Sequence, residues 1–165
     1  MRKPRLYEVF VSIGILTILA ALFLPVTACA CGGESSKRAA CVSNLKQQGL
    51  AMLMYANDWD NVLPHRDRWM DAVKAYTHNQ SIFKDSEVKG EGLYGYSFNA
   101  DLSEANTEPL KNPEKVSMTY DSINLGRNAS DRVNSLPVEG RHGGRNGMGY
   151  LDGHAKSVPR VQASP

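Results

Sequence analysis

Residues 9–31 read VFVSIGILTILAALFLPVTACAC, and none of these 23 residues carries a charge. As an α-helix the stretch would be about 35 Å long, because each residue adds about 1.5 Å, whereas the hydrocarbon layer of a membrane is about 30 Å thick. It follows a basic start with Arg2, Lys3 and Arg5, and basic residues favour a cytoplasmic N-terminus. Residues 1–31 are therefore predicted to form a single membrane-spanning helix with a short cytoplasmic start. A cleaved secretory signal is the alternative, although the apolar core of a signal is usually only about 7 to 15 residues long.

Length and charge limit what the rest of the chain can be. Residues 32–159 have the length of one small domain, predicted to lie outside the cytoplasm, and residues 160–165 are predicted to be a disordered tail. The net charge is only +2, and no cluster of Lys and Arg with interleaved aromatic residues follows residue 38. Nucleic acid is therefore not expected as a partner.

Apolar spacing predicts both helices and strands in this domain. A stripe at three- and four-residue steps runs from Val42 to Ala56 and predicts a long helix with one buried face. A shorter amphipathic helix is predicted for residues 68–78. Apolar residues that alternate with other residues predict strands around 94–98 and 116–120, so the domain is expected to be α+β.

The C-terminal part is predicted to contain a loop and a hairpin. Residues 122–140 show no apolar period and are predicted to form an open loop. Asp152-Gly153 lies between two strand-like segments and is a residue pair that fits a tight type I′ turn. The strands together predict a small antiparallel sheet, against which the long N-terminal helix would pack.

Three cysteines, Cys29, Cys31 and Cys41, lie around the end of the apolar stretch. Their spacing is not that of a zinc site. Residues 26–29, VTAC, have the form of a lipobox, and lipidation of Cys29 would make the chain a lipoprotein. Cys31 and Cys41 would then remain as a pair able to form a disulfide in an oxidising compartment.

Three stretches carry a resemblance to a known family. Glu8 directly precedes the apolar stretch and lies seventeen residues before Pro25. Residues 38–64 read RAACVSNLKQQGLAMLMYANDWDNVLP, and residues 141–153, RHGGRNGMGYLDG, contain a histidine followed after nine residues by Asp-Gly. The chain resembles bacterial type IV pilin-like proteins, specifically the pseudopilin-like, prepilin-type processing-associated group of type II secretion system components.

The resemblance implies a pilin-like α+β fold, in which a long N-terminal transmembrane helix packs on a small antiparallel β-sheet domain. Glu8 would be the assembly contact that pairs with the free N-terminal amine of a neighbouring subunit, and Pro25 would kink the helix. Processing would fall between Lys3 and Pro4, where this chain lacks the glycine that prepilin peptidase recognises.

A second departure from the family follows the residues IFK. Relatives often carry Cys-Pro there, whereas this chain has Asp85-Ser86. The resemblance therefore implies that Cys41 has lost a disulfide partner at position 85.

The C-terminal signature, His142 with Asp152 and Gly153, contains residue types that bind metals. The structural interpretation is that His142 hydrogen-bonds to the Asp-Gly turn, and a metal site is the alternative. Asp58 and Asp60 are weaker candidates for metal ligands, with calcium as the possible cofactor, although their spacing fits no EF-hand. The sequence has no nucleophile motif and no phosphate-binding loop, so an enzyme is not expected.

These features predict a structural, pseudopilin-like subunit of a type II secretion or type IV pilus-like assembly. It would be a single-pass protein of the bacterial inner membrane, with the domain on the periplasmic or extracellular side. Its expected partners are the membrane, copies of itself or other pilin-like subunits, and the secretion machinery. A lipoprotein anchored at Cys29 and a metal-binding extracytoplasmic domain are the alternative functions.

Overall fold

A computed structural model describes residues 6–27 and 33–160 of the chain, and the side chains of residues 8, 9 and 22–27 lie outside the description. The chain divides into two compact units, Met1–Gly33 and Glu34–Pro165. Each unit is described by itself below.

Helix α1, Leu6–Thr27, is formed by most of the apolar stretch. Among the residues that the structure describes, no helix is both long enough and apolar enough to cross a membrane. The predictions of a transmembrane helix and of a single-pass inner-membrane location are therefore wrong.

The described part of the second unit combines α-helices, short 3₁₀ helices and strands. Helix α2 spans Glu34–Asp58 and α3 spans Trp69–Val73. The strands are β1 Tyr96–Asn99, β2 Ser117–Asp121, β3 Ser130–Asp131, β4 Arg145–Tyr150 and β5 Ala155–Pro159. The 3₁₀ helices are Arg66–Arg68, Lys74–Tyr76, Gln80–Phe83, Ala100–Leu102, Pro113–Lys115 and Val133–Ser135. Helix α2 confirms the long helix predicted from the apolar stripe, and α3 with its flanking 3₁₀ turns occupies the predicted shorter helix.

The five strands form one sheet in the order β3-β1-β2-β4-β5. β1 with β2, β2 with β4, and β4 with β5 are antiparallel pairs, but β1 and β3 are parallel, with Phe98 opposite Ser130. The prediction of an antiparallel sheet is therefore wrong. After β2 the chain passes β1 to reach the edge of the sheet, and there β3 pairs with β1 in the same direction. The helix that packs on the sheet is α2, which contacts β2, β4 and β5.

The main core lies between α2, α3 and the sheet. It contains Met52 of α2, Trp69 and Met70 of α3, and Phe98 and Met118 of the sheet, all at most 1% exposed. Burial of each such side chain stabilises the fold by about 1.5–3 kcal/mol. The indole Nε1 of Trp69 donates a hydrogen bond of 2.9 Å to a backbone carbonyl of the segment before β3, so even the polar atom of this large side chain is satisfied.

Two glycines of β4 let α2 lie close to the sheet. A Cβ atom on Gly147 would lie 2.5 Å from both Cys41 Sγ and Leu45 Cδ1. A Cβ atom on Gly149 would lie 3.4 Å from the backbone oxygen of Leu45. A side chain at Gly147 would therefore press against α2, and its absence lets Cys41 lie next to the sheet. At Gly149 the distance to α2 is an ordinary contact, and the close one, 2.9 Å, would be with Thr119 Oγ1 of β2.

The second face of the sheet is covered by residues 122–140. Leu136 from this segment is buried in a cluster with Tyr120, Met148 and Tyr150. The Tyr120 hydroxyl donates a hydrogen bond of 2.5 Å to the backbone oxygen of Asp131. The prediction of an open loop is therefore wrong, because the segment contributes a strand, a 3₁₀ turn and apolar side chains to a second core.

Candidate functional site

Four side chains with metal-ligand chemistry meet between α2 and the sheet. Cys41 lies on α2, Asp85 follows the 3₁₀ helix Gln80–Phe83, Asp121 ends β2 and His142 lies in the loop before β4. Ligand atoms from the four residues all lie within 4.8 Å of one another, and none of the residues is more than 3% exposed. We call these four residues the buried cluster.

Local backbone structure holds Asp85 and His142 in place. The backbone N–H of Asp85 donates to Tyr94, and the Asp85 Oδ1 atom accepts a hydrogen bond of 2.8 Å from the backbone N–H of Glu87. The loop that carries His142 turns at Gly140, whose φ of +75° is left-handed and where a Cβ atom would collide with the following backbone. The backbone N–H of His142 then donates a hydrogen bond of 2.8 Å to the Arg145 carbonyl.

Both acidic residues of the cluster lie close to His142, and Asp121 also accepts hydrogen bonds from Cys41 and Gly147. The Nε2 atom of His142 lies 2.9 Å from Asp85 Oδ2 and 3.6 Å from Asp121 Oδ2. Asp121 Oδ1 accepts a hydrogen bond of 3.3 Å from the Cys41 thiol, and Asp121 Oδ2 accepts one of 2.6 Å from the backbone N–H of Gly147. The second ring nitrogen of His142, Nδ1, is buried without a hydrogen-bond partner in the described part of the chain. His142 is therefore held through Nε2.

Arg141 places a positive charge beside the cluster. Its Nη1 atom lies 3.7 Å from Asp121 Oδ1 and donates a hydrogen bond of 2.5 Å to the backbone oxygen of Gly95. Its Nη2 atom donates to the backbone oxygen of Ser122. The guanidinium is thus fixed by backbone acceptors on both sides of Asp121, and it offsets part of the cluster's negative charge.

Burial and neighbouring charges shift the pKa values of all four residues. Burial raises the pKa of Asp121 to about 6, although the Gly147 N–H and Arg141 act in the opposite direction. Burial is the largest single influence on Asp85 and His142 as well, but the hydrogen bond between them together with neighbouring charges outweighs it, so the pKa of Asp85 is lowered and that of His142 is raised. Burial, together with the two nearby carboxylates, raises the pKa of the Cys41 thiol far above its ordinary value. Without a bound cation, Cys41 is a protonated thiol and a poor nucleophile.

No protein-family model, curated protein or solved structure matches the chain. The resemblance to pilin-like proteins therefore remains a prediction from three motifs. The chemistry of the buried cluster has to be inferred from its own geometry.

The C-terminal signature is separated in the structure. His142 belongs to the buried cluster, whereas Asp152 lies in the turn between β4 and β5, with its Oδ1 atom 2.5 Å from Nδ1 of His154. The predicted hydrogen bond between His142 and the Asp-Gly turn is therefore wrong, because His142 contacts Asp85 instead. The predicted hairpin is confirmed, but Asp152 does not have the positive φ of a type I′ turn, and only Gly153, with φ +85°, is left-handed.

Asp58 and Asp60 are not brought together with other ligands. Asp58 accepts a hydrogen bond of 3.0 Å from the Tyr76 hydroxyl, and Asp60 lies in the turn after α2 with φ +51°. Within residues 6–27 and 33–160, the buried cluster is the one group of three or more His, Cys, Asp or Glu residues close enough to hold a metal ion. Of the metal-ligand candidates from the sequence, only His142 lies in it.

Several predicted residues lie outside what the structure describes. They are Lys3 and Pro4 at the predicted processing position, Cys29 as the predicted lipidation site, and Cys31 as one half of the predicted disulfide. Glu8 and Pro25 lie in α1, but their side chains are also outside the description. Cys41 is a free thiol in the structure.

Sequence reasoning missed the two acidic members of the cluster. For Asp85 a signal existed, because the resemblance implied that position 85 lies near Cys41, and both residues are in the buried cluster. Asp121 gave no such signal, since it is the last residue of an ordinary strand segment, SMTYD. Together the four residues could hold a metal ion.

Proposed function

We propose that this chain is a structural subunit that assembles through α1 with copies of itself or with other pilin-like subunits. One observation carries the proposal, namely that nine large apolar side chains of α1 are 49–77% exposed. They are Leu6, Tyr7, Phe10, Val11, Ile13, Ile15, Leu16, Ile18 and Leu19. At 100° per residue these positions lie on every side of the helix, so a single neighbouring surface would not cover them.

The exposed area of α1 favours association in water. Monomeric soluble proteins rarely expose contiguous apolar patches larger than a few hundred Å², and a helix that is apolar all round is normally buried. Full burial of each large side chain would contribute about 1.5–3 kcal/mol, which is an upper bound in a real assembly. Helices that pack side by side in a bundle would cover such a surface on all sides.

The resemblance supports an assembly of the pilus or secretion type. Pilin-like subunits associate through their N-terminal helices, and Glu8 stands where their assembly glutamate does. The machine to which the subunit belongs would then be a type II secretion or type IV pilus-like one. The exposed loops of the second unit would select neighbouring partners.

Calcium forms no part of the proposed function. Calcium in proteins takes about six to eight oxygen ligands. In the described part of the chain, Asp58 and Asp60 belong to no group of three or more converging His, Cys, Asp or Glu side chains, and the buried cluster includes a thiol and an imidazole. Neither place offers the oxygen-rich coordination that calcium needs.

The proposal is tested with two differently tagged copies of the full-length chain, expressed together. One tag is captured in mild detergent, and the other copy is quantified. Leu16→Glu places a charge on α1, and Ile123→Glu is the matched control, because the two side chains are 66% and 67% exposed. We expect co-capture of the wild type and of Ile123→Glu, and at least a tenfold loss for Leu16→Glu.

Glu8→Gln tests whether the assembly uses the contact that the resemblance implies, and we expect weaker co-capture than for the wild type. Circular dichroism checks that each variant is folded. A wild type that is not co-captured, or a Leu16→Glu variant that is captured as well as Ile123→Glu, would show that α1 does not mediate assembly.

A further inference from the structure

We propose that the buried cluster is a zinc site, in which Cys41, Asp85, Asp121 and His142 each supply one ligand. The four ligand atoms come from four separate segments and lie within 4.8 Å of one another, a spacing that one ion can span. This site is independent of assembly through α1.

The donor types favour zinc over other common cations. Zinc in proteins is bound tetrahedrally by thiolate, imidazole and carboxylate ligands, and four protein ligands are typical of a structural site. Calcium and magnesium prefer oxygen ligands only, whereas the cluster contributes one sulfur and one nitrogen. The ligand number therefore predicts a closed structural site.

Charge also fits a divalent cation. Two carboxylates and one thiolate would supply three negative charges inside the protein. Zn²⁺ and the guanidinium of Arg141, whose Nη1 atom lies 3.7 Å from Asp121, would supply three positive charges. The filled site would be neutral, which matters because an uncompensated buried charge is costly.

Backbone donors orient both carboxylates before any ion binds. Glu87 donates to one oxygen of Asp85, and the other oxygen faces His142. Gly147 donates to Asp121 in the same manner. Such contacts to the ligands themselves fix their orientation and raise metal affinity.

A cavity adjoins two of the ligands. A cavity of about 290 Å³ is lined by Cys41 and Asp85 together with polar residues that include Asn44 and Ser81. The cavity therefore lies directly beside two of the four ligands.

The competing interpretation is an ion-pair network without a metal. The direct contact of 2.9 Å between His142 and Asp85 is compatible with it. The two interpretations differ in what the ligand atoms bind. Only in a zinc site would the Cys41 sulfur and the His142 nitrogen coordinate the same ion.

The first test uses the full-length wild type, stripped with a chelator and reloaded with zinc. We expect one zinc per chain by elemental analysis. X-ray absorption should show one sulfur at about 2.3 Å and nitrogen or oxygen ligands at about 2.0–2.2 Å. A spectrum with two sulfur ligands would place the ion on Cys29 and Cys31 and would overturn the proposal, as would the absence of stoichiometric zinc.

The second test compares Asp85→Asn and Cys41→Ser with a matched control. His154→Gln is the control, because His154 also lies beside an aspartate, Asp152, but on the exposed hairpin turn. In competition with a chromogenic chelator, we expect both cluster variants to lose at least 100-fold in zinc affinity and the control to keep wild-type affinity. With cobalt as the probe, the thiolate charge-transfer band should vanish in Cys41→Ser alone among the three.

Circular dichroism of the variants separates loss of binding from loss of fold. If a cluster variant does not fold, the X-ray absorption spectrum of the zinc-loaded wild type still shows whether the ion has one sulfur ligand. Cluster variants that fold and bind zinc as tightly as the wild type would show that the ion is held elsewhere.

Discussion

Replacement of Gly147 by alanine tests how closely α2 lies on the sheet. The new Cβ atom would lie 2.5 Å from both Cys41 Sγ and Leu45 Cδ1, whereas carbon atoms in contact prefer about 3.5–4.0 Å. Cys41 is 3% exposed and Leu45 is fully buried, so neither side chain can turn towards solvent. The φ angle of Gly147 is not left-handed, and backbone strain therefore adds nothing to the effect.

The expected cost follows from these two contacts. An added methyl group in a packed core costs about 1–3 kcal/mol. Because Cys41 and Leu45 lie one turn apart on α2, a rotation of one side chain would not relieve both contacts, and the helix would have to move. We therefore expect a loss of about 2–3 kcal/mol in the free energy of unfolding, or roughly 10 °C in the melting temperature of a domain of this size.

Gly49→Ala is the matched control on the helix side of the same interface. A Cβ atom on Gly49 would be 3.5 Å from the nearest atom, in Gly153, and 3.6 Å from Met118 Cε, which are ordinary contacts. Alanine is better than glycine inside a helix by about 1 kcal/mol. We expect the stability of this variant to be unchanged or to rise by up to about 1 kcal/mol.

Both variants are measured by urea unfolding of the full-length chain, followed by tryptophan fluorescence. Trp69 is fully buried and reports on the main core, whereas Trp59 is 58% exposed. If Gly147→Ala unfolds at the same urea concentration as the wild type, α2 does not lie as close to β4 as described. The argument that glycine at this position brings Cys41 to the buried cluster would then fail.

Three further outcomes are expected. Trp69→Phe removes one of the two hydrogen bonds that the Ala129 carbonyl accepts, the other coming from the Phe98 N–H, and it opens a small void. Urea unfolding should therefore show a loss of about 1–2 kcal/mol, and an unchanged midpoint would contradict this packing. Hydrogen bonds from Arg127 and Asn128 hold the pKa of Asp71 below its ordinary value of 3.8. In Arg127→Ala, an NMR titration should show that this pKa has moved back towards 3.8. The small stabilisation from the hydrogen bonds is present above about pH 4 and is lost as the pH falls through the lowered pKa. The intact mass of the chain from its native cell should correspond to a start at Pro4 if prepilin-type processing occurs, whereas a lipid-modified Cys29 start would support the lipoprotein alternative.

Elements with a strong local pattern were predictable. The stripe from Val42 to Ala56 has the helical period, and the structure has α2 there. Strands β1 and β2 and the β4–β5 hairpin also lie where alternation and an Asp-Gly pair predicted them. In these segments the residues that pack together are near neighbours in sequence, so the pattern of one segment carries the information.

Predictions failed where a segment depends on distant partners. Residues 122–140 have no period of their own, yet they cover the second face of the sheet, because Leu136 finds its apolar neighbours on β2 and β4. The two-residue β3 is too short to give an alternating pattern, and only its pairing with β1 makes the sheet mixed. The apolar stretch predicted a membrane-spanning helix, whereas no helix among the described residues meets the requirements for one.

The apolar character of α1, the long helix α2 and the strand segments follow from the period or composition of consecutive residues and are therefore readable from the chain alone. The buried cluster depends on the way that distant segments pack. Cys41 and Asp121 are 80 residues apart, and Asp85 and His142 are 57 apart. Single polar residues at such separations produce no periodic sequence pattern. Cys41 meets the other three because α2 packs closely against the glycines of β4.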